Sequence, residues 1–302
     1  MSETPLFPCF KPIELQDRDQ IDRIIKAYQP EVSEWTFTNL FIWRGFYGFQ
    51  WSIYKDWLMV ICPGGRNGVY AMEPVGPASR REPATVLLQW LKNEKKAVDP
   101  RIERADKRLA SELEGFDEIA IADAREHFDY VYLRQDLVEL AGNKYRSKRN
   151  HINQLSRLYG FTYADLKADH INDCMELQER WCEQKRCEDD MNLSSEWGAV
   201  REILGHYGAL ELKGGVILVG AKVMAFTIGE LLNDETAVVH IEKADPEIPG
   251  LYQVVNQQFC EKAWEGVQYI NREQDLDLPG LREAKLSYYP DHFVEKFTIR
   301  LK

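Results

Sequence analysis

Apolar and polar positions change period in a clear order along the last quarter of the chain. Alternation over 236–242 predicts a strand, a Pro/Gly-marked turn follows at 245–250, helical spacing covers 251–264, and a second strand covers 267–271. A glycine-containing connection (276–281), a Lys/Tyr segment (285–289) and a final strand (293–300) complete the run. A parallel β-turn-α-β unit puts a helix N-terminus, with free N–H groups and the positive dipole end, just past a strand. A phosphate or pyrophosphate sits well there.

The remainder reads as helices and short strands. Ile13, Leu15, Ile21, Ile24, Ile25 and Tyr28 fit an amphipathic helix that Pro30 ends, and the aromatic block 35–43 fits a core helix. Strands at 49–54, 57–62 and 69–72 precede a helix at 82–95. The glycine tract 64–68 joins two antiparallel strands and opens no helix, so it reads as a hairpin loop rather than a phosphate loop. Apolar runs at 131–133 and 137–140 open the second half. Helices at 176–183 and 196–206 flank an acidic connection (184–192), and strands follow at 209–213, 216–219 and 222–231, with turns at Gly214-Gly215 and Gly220-Ala221.

A chain of 302 residues exceeds one ordinary core, so two domains are expected. No run approaches the roughly 18 apolar residues that span a bilayer, and residues 1–11 lack the pattern of a signal peptide; a cytoplasmic location is expected. The six cysteines show no zinc-type spacing and read as reduced, mostly structural thiols, with no metal. A net charge of -11 argues against general adhesion to nucleic acid or anionic membrane. One stretch departs from it: 142–160 holds five Lys/Arg and no acid, so the rest of the chain carries -16. Tyr145, Ile152, Leu155 and Tyr159 share one helical face, and Arg146, Arg149, Asn150, Asn153 and Arg157 another. With Lys144 and Lys148, that basic face suits an anion: phosphate, CoA, a tRNA backbone or an acidic substrate.

Specific residues carry a family resemblance. The run 144–160, the segment 225–230, His240-Ile241-Glu242-Lys243-Ala244, Tyr252-Gln253, the run 271–276 and the run 280–288 resemble a bacterial family similar to the C-terminal cytosolic domain of phosphatidylglycerol lysyltransferases. The resemblance covers most of the chain and is most specific in the last quarter. It implies an α+β fold of two tandem GNAT-like (acyl-CoA N-acyltransferase) domains, as in Fem-type peptidyltransferases, each a mixed, mostly antiparallel sheet flanked by helices. The expected division is 1–133, with a degenerate donor loop, and 134–302, with the donor site. Membrane-bound members of that family join this domain to many transmembrane helices.

The implied reaction moves an acyl or aminoacyl group to an amine or hydroxyl. It requires an anchored donor, a deprotonated acceptor, a stabilised oxyanion and a protonated leaving group. By the GNAT pattern, coenzyme A or acyl-CoA would rest on Gly250, Leu251 and Tyr252, although the bulky Tyr252 departs from the small residues usual there. Asn271 matches another position of that fold, and Lys285 would neutralise a phosphate or leaving group. Tyr288 is the candidate acid, with Tyr289 behind it. Glu242 and His240 alternate on the fourth strand of that domain and are the candidate bases. Lys144, Arg146, Lys148 and Arg149 are the candidate anion binders. The leading expectation is an acyl-CoA-dependent acyltransferase; the alternatives are an aminoacyl-tRNA-dependent transferase and a non-catalytic small-ligand-binding protein on the same fold.

Overall fold

The computed structural model of the protein describes residues 3–64, 68–187 and 191–302. The centre of the glycine tract and part of the acidic connection, residues 65–67 and 188–190, lie outside the described residues. The chain forms two compact units.

The first unit supplies β1 (Lys11–Pro12), β2 (Gln50–Tyr54), β3 (Trp57–Cys62), β4 (Tyr70–Met72), β5 (Arg101–Ala105) and β6 (Ile119–Asp123). The second sheet is built from β7 (Asp129–Leu133), β8 (Thr162–Asp165), β9 (Lys213–Val219), β10 (Lys222–Leu231), β11 (Thr236–Ala244), β12 (Tyr269–Asn271) and β13 (His292–Val294). The last strand, β14 (Phe297–Leu301), belongs to the first sheet, whose order is β1-β2-β3-β4-β5-β14-β6. The second sheet runs β13-β7-β12-β11-β10-β9-β8. Both sheets are mixed, with parallel pairs only at β4–β5 and β11–β12 among the described pairings.

The first core packs the helix Arg81–Asn93, through Ala84, Leu87, Leu88 and Leu91, on Met59, Ile61, Ala71, Ile102 and Ile299. The aromatic block forms the helix Phe37–Tyr47; the Thr36 hydroxyl accepts a hydrogen bond from the Asn39 N–H and caps it. In the second core Leu155 meets Ile217, Ala225, Ala244, Leu251, Val254 and Val255, which joins the basic helix to the β-α-β unit.

Three features depart from the sequence reading. Residues 293–300 form two strands in two sheets, because Lys296 is fully buried between them and its ammonium binds Glu34 (2.5 Å) and Asp129 (2.7 Å). The second unit is therefore not one continuous stretch: residues 1–129, 274–278 and 293–302 make the first unit, and 130–273 with 279–292 the second. Gly214 and Gly215 lie inside β9 rather than in a turn, and 207–210 is a short helix. A Cβ at Gly214 would lie 2.9 Å from the Leu166 Cβ, and one at Gly215 2.5 Å from the Tyr163 ring, so both glycines admit close packing. Finally, Cys182 and Cys187 are joined in a disulfide, where reduced thiols were expected. No cluster of three or more metal-ligating side chains, and no helix long and apolar enough to cross a membrane, occurs among the described residues.

Candidate functional site

The expected β-α-β unit is present in the second unit: β11, the turn to Gly250, the helix Leu251–Ala263 and β12. Strands β11 and β12 pair only over Thr236–Val238 with Tyr269–Asn271, after which β11 runs on to Ala244 paired with β10 but not with β12. The strands part there, and Arg272, the first residue beyond β12, reaches across. Its Nη2 donates to Glu242 Oε1 at 2.9 Å, and Asn256 Nδ2, from the helix, donates to Glu242 Oε2 at 3.3 Å.

Tyr288 closes this corner. Arg272 lies 5.0 Å from its ring centroid and 5.8 Å from that of Tyr132, while the Lys148 ammonium lies 4.2 Å from the Tyr288 ring. The Tyr145 hydroxyl donates to the Tyr288 carbonyl at 2.9 Å, and the Tyr132 hydroxyl to the Lys285 carbonyl at 2.9 Å, so two tyrosines fix the segment's path. Burial pushes the Tyr288 phenol above its ordinary value, against the pull of Arg272, and leaves it a proton donor at neutral pH. Lys148 donates to the Ser287 hydroxyl at 2.6 Å. Burial, with the nearby Arg272 charge, lowers its pKa from the ordinary lysine value.

The basic helix, Arg146–Leu158, supplies Lys148 and also lies against the start of the helix Leu251–Ala263. Gly250 has φ +101°, and a Cβ there would stand 2.7 Å from the His151 carbonyl oxygen. Its glycine character thus serves both a left-handed turn and a close helix approach. Leu251 is buried in the core, and the Tyr252 hydroxyl accepts from Trp181 Nε1 at 3.2 Å. At the position expected to cradle a pyrophosphate, the two helices pack closely at Gly250.

Other expected site residues are engaged within the protein. His240 is no free base: its Nδ1 and Nε2 lie 2.9 Å from Glu273 and 2.9 Å from Glu230, with the side chain 1% exposed. Burial opposes its charge, but the two hydrogen-bonded carboxylates raise its pKa to about 9, so it is an imidazolium at neutral pH. Glu242 is tied to Arg272 and Asn256 as described. The Lys285 ammonium binds the backbone carbonyls of Arg272 and Glu273, which withdraws it from an anion-binding role. Asn271 is buried, and its Oδ1 accepts the Glu273 N–H at 2.8 Å. Lys144 pairs with Asp136 (3.3 Å), Arg149 donates to the Leu140 and Gly142 carbonyls, and Arg146 is exposed. Of the expected residues, Tyr288, Glu242 and Lys148 meet in one corner, while Gly250 and His240 serve packing and an internal ion network. Arg272, Asn256, Tyr132 and Ser287 join the corner without having been singled out. The signal for Arg272 was its position directly after a strand end.

The two sheets define the class: tandem GNAT-like units of the Fem type. The chain belongs to the family described as phosphatidylglycerol lysyltransferase, C-terminal, whose model matches residues 25–300. A conserved protein of unknown function from Bacteroides thetaiotaomicron is 34% identical, with TM-score 0.90 over 97% of this chain and 99% of that one. The C-terminal domain of a putative lysylphosphatidylglycerol synthetase from Agrobacterium fabrum is 12% identical, with TM-score 0.65 over 96% and 92% of the two chains. FemX is 10% identical, with TM-score 0.60 over 97% of each. An uncharacterized protein of Mycoplasmoides gallisepticum is 24% identical over 178 residues; the match spans 57% of this chain and 56% of that relative's length.

Proposed function

We infer that the protein transfers an aminoacyl group from aminoacyl-tRNA to an amine or hydroxyl, at the corner formed by Tyr288, Lys148, Arg272 and Glu242. One observation carries this reading: the basic helix delivers Lys148 onto Tyr288 while its backbone packs against Gly250. A single helix thus brings Lys148 toward a polyanion and packs its backbone against Gly250, where a CoA pyrophosphate was expected. Membership of the lysyltransferase family supports the aminoacyl donor over the acyl-CoA thioester that the fold class alone favours. Tyr288, protonated at neutral pH, donates to the departing ribose oxygen, and the positive field of Arg272 stabilises the oxyanion. An acceptor amine in its neutral form attacks the ester carbonyl without a dedicated base; the proton it sheds as the amide forms passes to solvent, and the Tyr288 phenolate is reprotonated from solvent.

Filter binding of lysyl-tRNA at low and moderate salt tests the reading, with titration of CoA and acetyl-CoA alongside. The expected result is tRNA binding that weakens steeply with salt, since each phosphate contact releases counterions, and no micromolar binding of CoA. Micromolar CoA binding with no retention of tRNA would overturn it.

A further inference from the structure

The polar corner of the second unit carries unbalanced charge. Asp136 is matched by Lys144, and Glu242 by Arg272. Glu230 and Glu273 share the His240 imidazolium between them, and the Lys285 ammonium is held by the backbone carbonyls of Arg272 and Glu273. Lys148 is left over. Its side chain is half-buried, its hydrogen-bond partner is the neutral Ser287 hydroxyl, and its pKa is pulled down by burial and by Arg272. No carboxylate lies within ion-pairing distance of it among the described residues. A half-buried ammonium is costly unless an anion completes its environment. Beneath it, Arg272 Nη1 is also a buried donor with no protein partner, so the second cation is incompletely satisfied by Glu242.

The geometry points to a subsite for one singly charged oxyanion at Lys148, and we assign it to a phosphodiester of the donor RNA. The contact set would be the Lys148 ammonium and the Ser287 hydroxyl, with the Tyr288 ring fixing the lysine's direction and Arg272 adding its field from below. A dianionic terminal phosphate would exceed the single surplus charge; a phosphodiester matches it. The position beside the Tyr288 phenol then selects a phosphodiester close to the aminoacylated ribose, the one joining the terminal nucleoside to its neighbour. The exposed Arg146, on the same helix, is left for phosphates further from the reacting end. This assignment rests on the aminoacyl-tRNA reading above and specifies which part of that donor the site recognises.

The test uses the intact protein and two non-hydrolysable donor fragments: adenosine carrying lysine in 3′-amide linkage, and the same compound extended at its 5′ oxygen by one phosphodiester-linked cytidine. Calorimetry should show the extension tightening binding by about tenfold, the worth of one charge-assisted hydrogen bond. Lys148→Gln should erase that gain, reduce the slope of log Kd against log salt by roughly one, and leave the shorter fragment's Kd unchanged. Lys148→Arg, which keeps the charge, should retain most of the gain and controls for misfolding. Equal binding of the two fragments to the unaltered protein, with tRNA still retained, would overturn the subsite and leave the donor reading standing. Competition by N-acetylglycine as strong as by the extended fragment would overturn the phosphodiester in favour of a carboxylate. No binding of either fragment or of charged tRNA would overturn both inferences.

Discussion

The junction at Gly250 is open to a quantitative test. Replacing Gly250 by Ala places a Cβ on a residue at φ +101°, and 2.7 Å from the His151 carbonyl oxygen. The conformational part of the cost is about 1–2 kcal/mol, as for any non-glycine residue held in left-handed space. The steric part is additional, because the obstructing atom is helix backbone and cannot rotate away; overpacking of this kind adds about 1–3 kcal/mol. Gly160 is the internal control. It too has a positive φ, +62°, and a Cβ there would meet nothing within 4 Å. Gly160→Ala should therefore show the conformational cost alone, and Gly250→Ala should exceed it by about 1 kcal/mol or more. Urea unfolding followed by circular dichroism measures both. Shifts that agree within about 0.5 kcal/mol would refute the close approach of the two helices.

Other consequences are equally direct. His240 has its pKa raised from 6.5 to about 9 by Glu230 and Glu273, so its contribution is complete below about pH 6.5 and disappears as the pH rises through 9. On the order of 3 kcal/mol should be lost across that window, and His240→Asn should flatten the profile measured by thermal unfolding at a series of pH values. Arg272→Met leaves Glu242 largely buried without its cation and should cost about 3 kcal/mol or more in the same assay; the double change with Glu242→Gln should recover part of that loss. Tyr288→Phe removes the proposed donor while keeping the ring against Lys148, so single-turnover transfer should slow by about 10²-fold with fragment affinity unchanged. An unchanged rate would exclude the phenol from proton transfer.

The elements that recur with a clean period were legible in the sequence: the β-α-β unit of the last quarter, the aromatic helix, and the two faces of the basic helix. Periodicity reports which face a residue occupies but not which partner waits there. His240 looked like a free base on a strand because the two carboxylates that bracket it come from β10 and from beyond β12, at separations no local pattern reveals. Gly250 looked like an anion cradle because a glycine before a helix serves several purposes, and the close approach of His151, which also demands glycine, leaves no trace in the local pattern. Gly214 and Gly215 looked like a turn for the same reason. Lys296 interrupted what read as one strand, since a buried ion pair with Glu34 and Asp129 leaves no apolar signature.

The placement of β14 also governs how this protein can be made. The strand pairs with both β5 and β6, so the first sheet has a gap until residues 297–301 arrive. During synthesis residues 1–129 emerge first yet cannot close their sheet until residues 297–301 have been made. The nascent chain must wait with two unpaired strand edges, while the second unit has most of its sequence in hand. A fragment ending at 133 should aggregate when expressed alone, and a circular permutant that begins at β14 and continues into residue 1 should let the first unit fold as it leaves the ribosome.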